Sequence, residues 1–143
     1  MSLEVSMNEC IQNIEDHAHS AIGGLGCARY MKGSREVRVA LLDWGDGILK
    51  RLRVRYPDTR DEVHALQRVL FGGYTSKARP NNQGRGIDNL RSVTTEAFGG
   101  DLYIVSGRGA VDIKGGQPPR YVSLPHEFQG TAVCFTLPVH PRA

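Results

Sequence analysis

The amino-acid sequence predicts a two-layer α/β (α+β) sandwich, with a mixed, mainly antiparallel sheet and helices on one face. Three observations predict it. Apolar residues recur at helical spacing near the start of the chain and again after residue 84. An apolar strand stands between those two helices. After the second helix, glycines and prolines divide the chain into short runs that read as an antiparallel meander. The chain has 143 residues, 40% hydrophobic and 23% charged, which suits one domain with a single core. A core of that size needs no disulfide or metal to staple it.

The first helix is expected from Ser6. Met7, Ile11, Ile14, Ala18 and Ala21 would share one buried stripe. Ser6 and Glu9 have the spacing of a capping box, in which hydroxyl and carboxylate each satisfy an orphan backbone N–H. Gly23, Gly24 and Gly26 are expected to end or bend this helix. Glu36 to Asp43 is expected as a strand with a largely buried end, because Val37, Val39 and Leu41 alternate with Arg38, Ala40 and Leu42.

Residues 44–83 are the least regular. Lys50, Arg51, Arg53 and Arg55 form a basic run, read as a solvated face. Pro57, Asp58 and Thr59 mark a turn. Val63, Leu66, Val69 and Leu70 predict a short amphipathic helix, closed by Gly72 and Gly73. The polar stretch Tyr74 to Gln83, with Pro80, predicts a loop. Past Gly84 and Gly86 a second clear helix buries Ile87, Leu90, Val93 and Ala97, and Gly99 and Gly100 end it. The expected strands that follow are Leu102 to Ser106, Ala110 to Ile113, Arg120 to Ser123 and Thr131 to Pro138.

The net charge of +3 is too mild to argue for a nucleic-acid partner. Cys10, Cys27 and Cys134 have no CxxC spacing and are read as reduced thiols, which points to the cytoplasm. No apolar run is long enough to span a bilayer, and polar residues around Glu4 and Glu9 argue against a cleaved leader. The remaining histidines, His19, His64, His126 and His140, show no metal-ligand spacing.

Three short segments carry chemistry. Glu9, Asn13 and His17 are four residues apart and would line one helix face. A carboxylate and an amide oxygen stacked in this way can hold hydrated Mg²⁺ and orient a water. Asp43-Trp44-Gly45-Asp46-Gly47-Ile48 follows directly on an apolar strand. An Asp placed there can accept from an adenine amino group, while the glycines let backbone pass close to a flat ring. Gly84-Arg85-Gly86-Ile87 opens a helix, where free N–H groups and the helix dipole favour an anion. Thr75, Ser76, Lys77 and Arg79 in the preceding loop suit phosphate contact. Each segment has an ordinary counterpart: a solvated helix face, an Asp-Gly turn, a basic loop before a cap.

Together, and in this order, they resemble the motifs of the Bergerat-fold (GHKL) ATPase superfamily, in its histidine-kinase-like branch. Glu9 and Asn13 correspond to the N-box. Asp43, Gly45 and Gly47 match the G1 box DxGxG, and Gly84 and Gly86 match the G2 box GxG. Gly99 to Ser106 resembles the strand after G2, and Gly130 to Pro138 resembles the closing GTxFxxxLP strand. The resemblance spans Met7 to Pro138.

The resemblance implies ATP and Mg²⁺ as cofactors. It implies Glu9 as the catalytic base and Asn13 as the Mg²⁺ ligand. Asp43 would hold the adenine amino group, with Gly45, Gly47 and Ile48 shaping the pocket. Gly84, Arg85, Gly86 and Ile87 would meet the phosphates beside Thr75, Ser76 and Lys77, and Thr131 completes the cofactor-binding set. Residues 49–83 would form a mobile lid, with Lys77 reaching the terminal phosphate. Ile14 stands where the family usually has Ala, which removes no ligand. An upstream phosphoacceptor helix is missing, so the chain reads as a compact member or a fragment of a longer protein. The implied activity is transfer of the γ-phosphate to a protein partner in trans. An ATP-hydrolysing conformational switch and a nucleotide sensor without turnover are the alternatives. Neither nucleic acid nor membrane is implied, and a homodimer is left open.

Overall fold

The computed structural model describes Asn8, residues 23–71 and residues 86–139. It opens with a hairpin of two antiparallel strands, β1 (Gly24–Met31) and β2 (Glu36–Asp43). The turn between them closes on Arg35, whose φ of 52° is left-handed. β2 is the strand that its alternation predicts, with Val39, Leu41 and Asp43 facing inward and buried. β1 is a strand that the sequence reading did not name; it expected the glycines at 23–26 to end or bend a helix that lies outside the described residues. The residues of β1 are exposed along nearly its whole length, so no burial pattern announces it. Gly26 lets it lie flat against β2, since a Cβ there would stand 3.1 Å from the Leu41 side chain.

Two helices follow where a lid was expected. α1 (Gly47–Arg55) buries Leu52, and α2 (Glu62–Phe71) buries Ala65, Leu66 and Leu70. They are joined through the turn at residues 57–59. Thr59 is buried there, and its hydroxyl donates to the Tyr56 carbonyl at 2.8 Å. Arg53 reaches back from α1 to donate to the Thr59 carbonyl at 2.9 Å. α2 matches the predicted amphipathic helix. α1 carries the basic run, with Lys50, Arg53 and Arg55 exposed as expected, Arg51 half-buried, and Leu52 between them buried. The predicted first helix, apart from Asn8, and the predicted loop Tyr74 to Gln83 lie outside the described residues.

α3 (Gly86–Arg91) continues into a wider π-helical stretch, Ser92–Ala97. The hydroxyl of Thr95 donates to the Arg91 carbonyl at 2.7 Å. That carbonyl is the acceptor which the α-helical pattern would give to the Thr95 N–H, so the side chain competes with the regular ladder. Further on, the Phe98 N–H reaches five residues back to Val93 at 3.0 Å. Arg91 ties this segment to α2: it donates to the Leu70 carbonyl at 3.1 Å and lies 4.3 Å from the Phe71 ring centroid.

β3 (Asp101–Ile113) and β4 (Arg120–Pro138) form the second hairpin. Each merges two strands that the sequence predicts separately. Their register slips at Gly107, where the β4 segment holding Pro125 bulges outward, and the separate runs predicted on either side reflect this break. The strand order is β1-β2-β4-β3. Every described pairing is antiparallel, which corrects the expectation of a mixed sheet. β2 and β3 do run in the same direction, but β4 lies between them.

Helices and sheet meet in one core. Val39, Leu41, Leu102, Ile104, Val133 and Phe135 come from the sheet, and Leu66, Leu70 and Leu90 from the helices. The fold is therefore a two-layer α+β arrangement. Among the described residues no helix is long and apolar enough to cross a membrane. Leu66 is fully buried, so Leu66→Ala is expected to lower stability in urea unfolding by about 2–5 kcal/mol. Val54 is 85% exposed, so Val54→Ala should stay within about 0.5 kcal/mol of the wild type. Equal, small effects from both would contradict this core.

Candidate functional site

Strand pairing stacks the inward-facing residues in layers. Val39, Phe135 and Leu102 align across β2, β4 and β3, and Leu41, Val133 and Ile104 form the next layer. In the layer after that the chemistry changes to Asp43, Thr131 and Ser106. The sheet is thus apolar under its helices and polar at the end from which α1 departs. Asp43 is 8% exposed and Ser106 1%. Polar groups this deep must find hydrogen-bond partners, or each costs about 1–3 kcal/mol.

They find them in the loop that starts α1. The Gly45 N–H donates to Asp43 Oδ1 at 2.9 Å, and the Thr131 N–H donates to the same oxygen at 3.2 Å. The Ile48 N–H donates to Ser106 Oγ at 2.8 Å, and Ser106 Oγ lies 3.1 Å from Thr131 Oγ1. Gln129 closes the loop from outside by donating to the Gly45 carbonyl at 2.9 Å. One continuous set of hydrogen bonds therefore joins β2, β3, β4 and the head of α1.

Two glycines make this approach possible. Gly47 has φ of 82°, and a Cβ there would stand 3.1 Å from Ser106 Oγ. Gly130 has φ of 95°, and a Cβ there would collide with the Asp43 carbonyl oxygen and stand 2.9 Å from its Oδ1. Both need the left-handed backbone that glycine adopts without steric cost. Both of the carboxylate's hydrogen bonds among the described residues end on Oδ1, which leaves Oδ2 as the oxygen for an incoming donor.

The charges around the site are unevenly spent. Lys50 pairs with Asp46 at 3.2 Å. Arg51, partly buried beside them, has its pKa pushed down by burial, while Asp43 and Asp46 act in the opposite sense. Trp44, next to Asp43, is 41% exposed.

Of the residues named from sequence, the structure brings together Asp43, Gly45, Gly47, Ile48 and Thr131. The side chain of Ile48 is packed against the core, so its part in the site is through its N–H. Gly86 and Ile87 open α3, and Ile87 likewise packs on the core. Glu9, Asn13, Thr75, Ser76, Lys77, Gly84 and Arg85 lie outside the described residues. Among the described residues no group of His, Cys, Asp and Glu side chains could hold a metal ion. Cys27 and Cys134 are free thiols. Sequence reasoning missed Ser106, Gln129, Gly130 and Arg51 as site residues. Ser106 had a signal, because it is a polar residue in the inward phase set by Leu102 and Ile104. Gln129 depends on register across the sheet, Gly130 stands at the head of the Gly130 to Pro138 segment, and Arg51 lies in the basic run of α1.

Comparison with protein-family models found no match to the chain, and comparison with curated proteins found none either.

Ser106→Ala leaves the Ile48 N–H without its acceptor, and is expected to destabilise the protein by about 1–3 kcal/mol. Gly130→Ala should be worse, because strain and collision add. Chemical denaturation of both variants checks this. A neutral Ser106→Ala would mean that the polar layer does not hold the loop.

Proposed function

We propose that this chain is a Mg-ATP-binding domain of the Bergerat type and the histidine-kinase-like branch, which passes the ATP γ-phosphate to a protein partner in trans. The observation that supports the reading is the buried Asp43 carboxylate, fixed through one oxygen at the end of a sheet. A carboxylate in such surroundings favours a ligand that brings an N–H donor, because the donor offsets its desolvation. The exocyclic amino group of adenine is such a donor. The exposed Trp44 follows Asp43 directly at the same end.

In this reading the remaining roles go to residues of the N-terminal and central segments. Asn13 ligates Mg²⁺, which would neutralise phosphate charge. Glu9 takes the proton from the acceptor group. Lys77, with Thr75, Ser76, Gly84 and Arg85, holds the phosphate chain. Transfer would rest on positioning and electrostatics.

Calorimetric titration with ATP and Mg²⁺ tests the pocket. The wild type is expected to bind, and Asp43→Ala to lose at least about tenfold in affinity, as follows from losing a hydrogen bond to a charged group. Glu9→Ala should bind ATP like the wild type and leave no label on protein when incubated with cell extract and γ-labelled ATP. Equal binding by wild type and Asp43→Ala would remove the basis of the proposal.

A further inference from the structure

The strand order β1-β2-β4-β3 leaves β1 and β3 at the two sides of the sheet. A strand at a side points half of its N–H and C=O groups outward, where they form a template for another strand. The two edges differ. β3 breaks register on both sides of Gly107. A Cβ at Gly107 would stand 2.9 Å from Glu62 of α2, and one at Gly109 would stand 2.7 Å from it. Asp101 and Asp112 add charge to β3, each facing Lys114 at 3.6 Å. Among the described residues β1 has none of these guards. It pairs with β2 without a break over all eight of its residues and holds no proline. Seven of the eight are exposed, Leu25 and Tyr30 among them, and Arg29 is the one charged side chain.

We propose that a second copy of this chain pairs with β1 through its own β1, antiparallel and about a two-fold axis, so that the two sheets become one. Opposed residues of antiparallel strands share a face, and a two-fold axis perpendicular to the sheet keeps each face on its own side. Gly24, Gly26, Ala28 and Tyr30 lie on the helix side, in phase with Val39, Leu41 and Asp43. Leu25, Cys27 and Arg29 lie on the other side. The axis must therefore pass at a residue and not between two. Two centres, Cys27 and Ala28, keep seven residues of β1 paired with the copy, 24–30 or 25–31. With either centre Tyr30 lies opposite a glycine, Gly24 or Gly26, whose open space takes an aromatic ring. Arg29 lies opposite Leu25 or Cys27 and never opposite itself, so no like charges are brought face to face. The pairing closes on itself as a dimer, because each copy uses the same edge.

The test is sedimentation equilibrium of the wild type and Cys27→Lys, with far-UV circular dichroism to check that both are folded. Cys27 is an exposed free thiol. The cation that replaces it faces its own copy when the axis is at Cys27, and the partner's Arg29 when the axis is at Ala28. The wild type is expected to be a dimer at high protein concentration that dissociates on dilution. Cys27→Lys should dimerise at least about tenfold more weakly. A second measurement needs no substitution. A short bis-maleimide added to the wild type should give a dimer in which peptide mapping finds Cys27 joined to Cys27, since either centre brings those thiols to opposed or diagonal positions. A wild type that stays monomeric overturns the proposal. So does a dimer that folded Cys27→Lys leaves intact, or one in which Cys27 is not joined to Cys27. Assembly beyond the dimer would mean that β1 meets a different edge, and would overturn it too.

Discussion

The polar end of the sheet depends on one carboxylate oxygen. Asp43 Oδ1 accepts from the N–H of Gly45, in its own loop, and from the N–H of Thr131, on the neighbouring strand. A single acceptor thereby fixes the exit of β2 against β4 before α1 begins. The bond is charge-assisted and shielded from water, which makes it stronger than a neutral pair at the surface. Its presence also explains the two left-handed glycines. Any side chain at Gly130 would strike Asp43, and any at Gly47 would press on Ser106, the second anchor of the loop.

That clamp links the fold to the chemistry. The layers under the helices are apolar and supply the burial that stabilises the sandwich. The last layer gives up such burial for Asp43, Thr131 and Ser106, and recovers the loss through hydrogen bonds to the head of α1. A polar layer of this kind is justified energetically only if its groups are satisfied, and one carboxylate oxygen remains for something from outside. The proposed base-binding role of Asp43 follows from a carboxylate that the packing has buried with both of its described hydrogen bonds on one oxygen.

Much of this was legible in the sequence, for reasons particular to each element. β2 was readable because Val37, Val39 and Leu41 alternate and end on Asp43, and α2 because Val63, Leu66, Val69 and Leu70 keep helical phase. The DxGxG segment marked the loop because glycines after a buried strand need a structural reason. β1 was not readable: glycine-rich and exposed, it takes its conformation from pairing with β2 and not from its own pattern. α1 was not legible as a helix because four cations in six residues hide the single Leu52 that anchors it. The sequence reading expected a mixed sheet, but β4 lies between β2 and β3, which run the same way, so every described pairing is antiparallel. Ser106 and Gly130 lie far along the chain from Asp43, and strand register is what brings them to it.

The most direct measurement is an amide NMR titration of the wild-type protein with ADP and Mg²⁺. The account predicts that the amides of Gly45, Gly47, Ile48 and Thr131 move together and saturate with one dissociation constant, while those on the exposed face of α2 stay still. If these four amides do not move at saturating nucleotide, or if the shifts gather at the other end of the sheet near Gly100 and Gly115, the polar layer around Asp43 is not a nucleotide site.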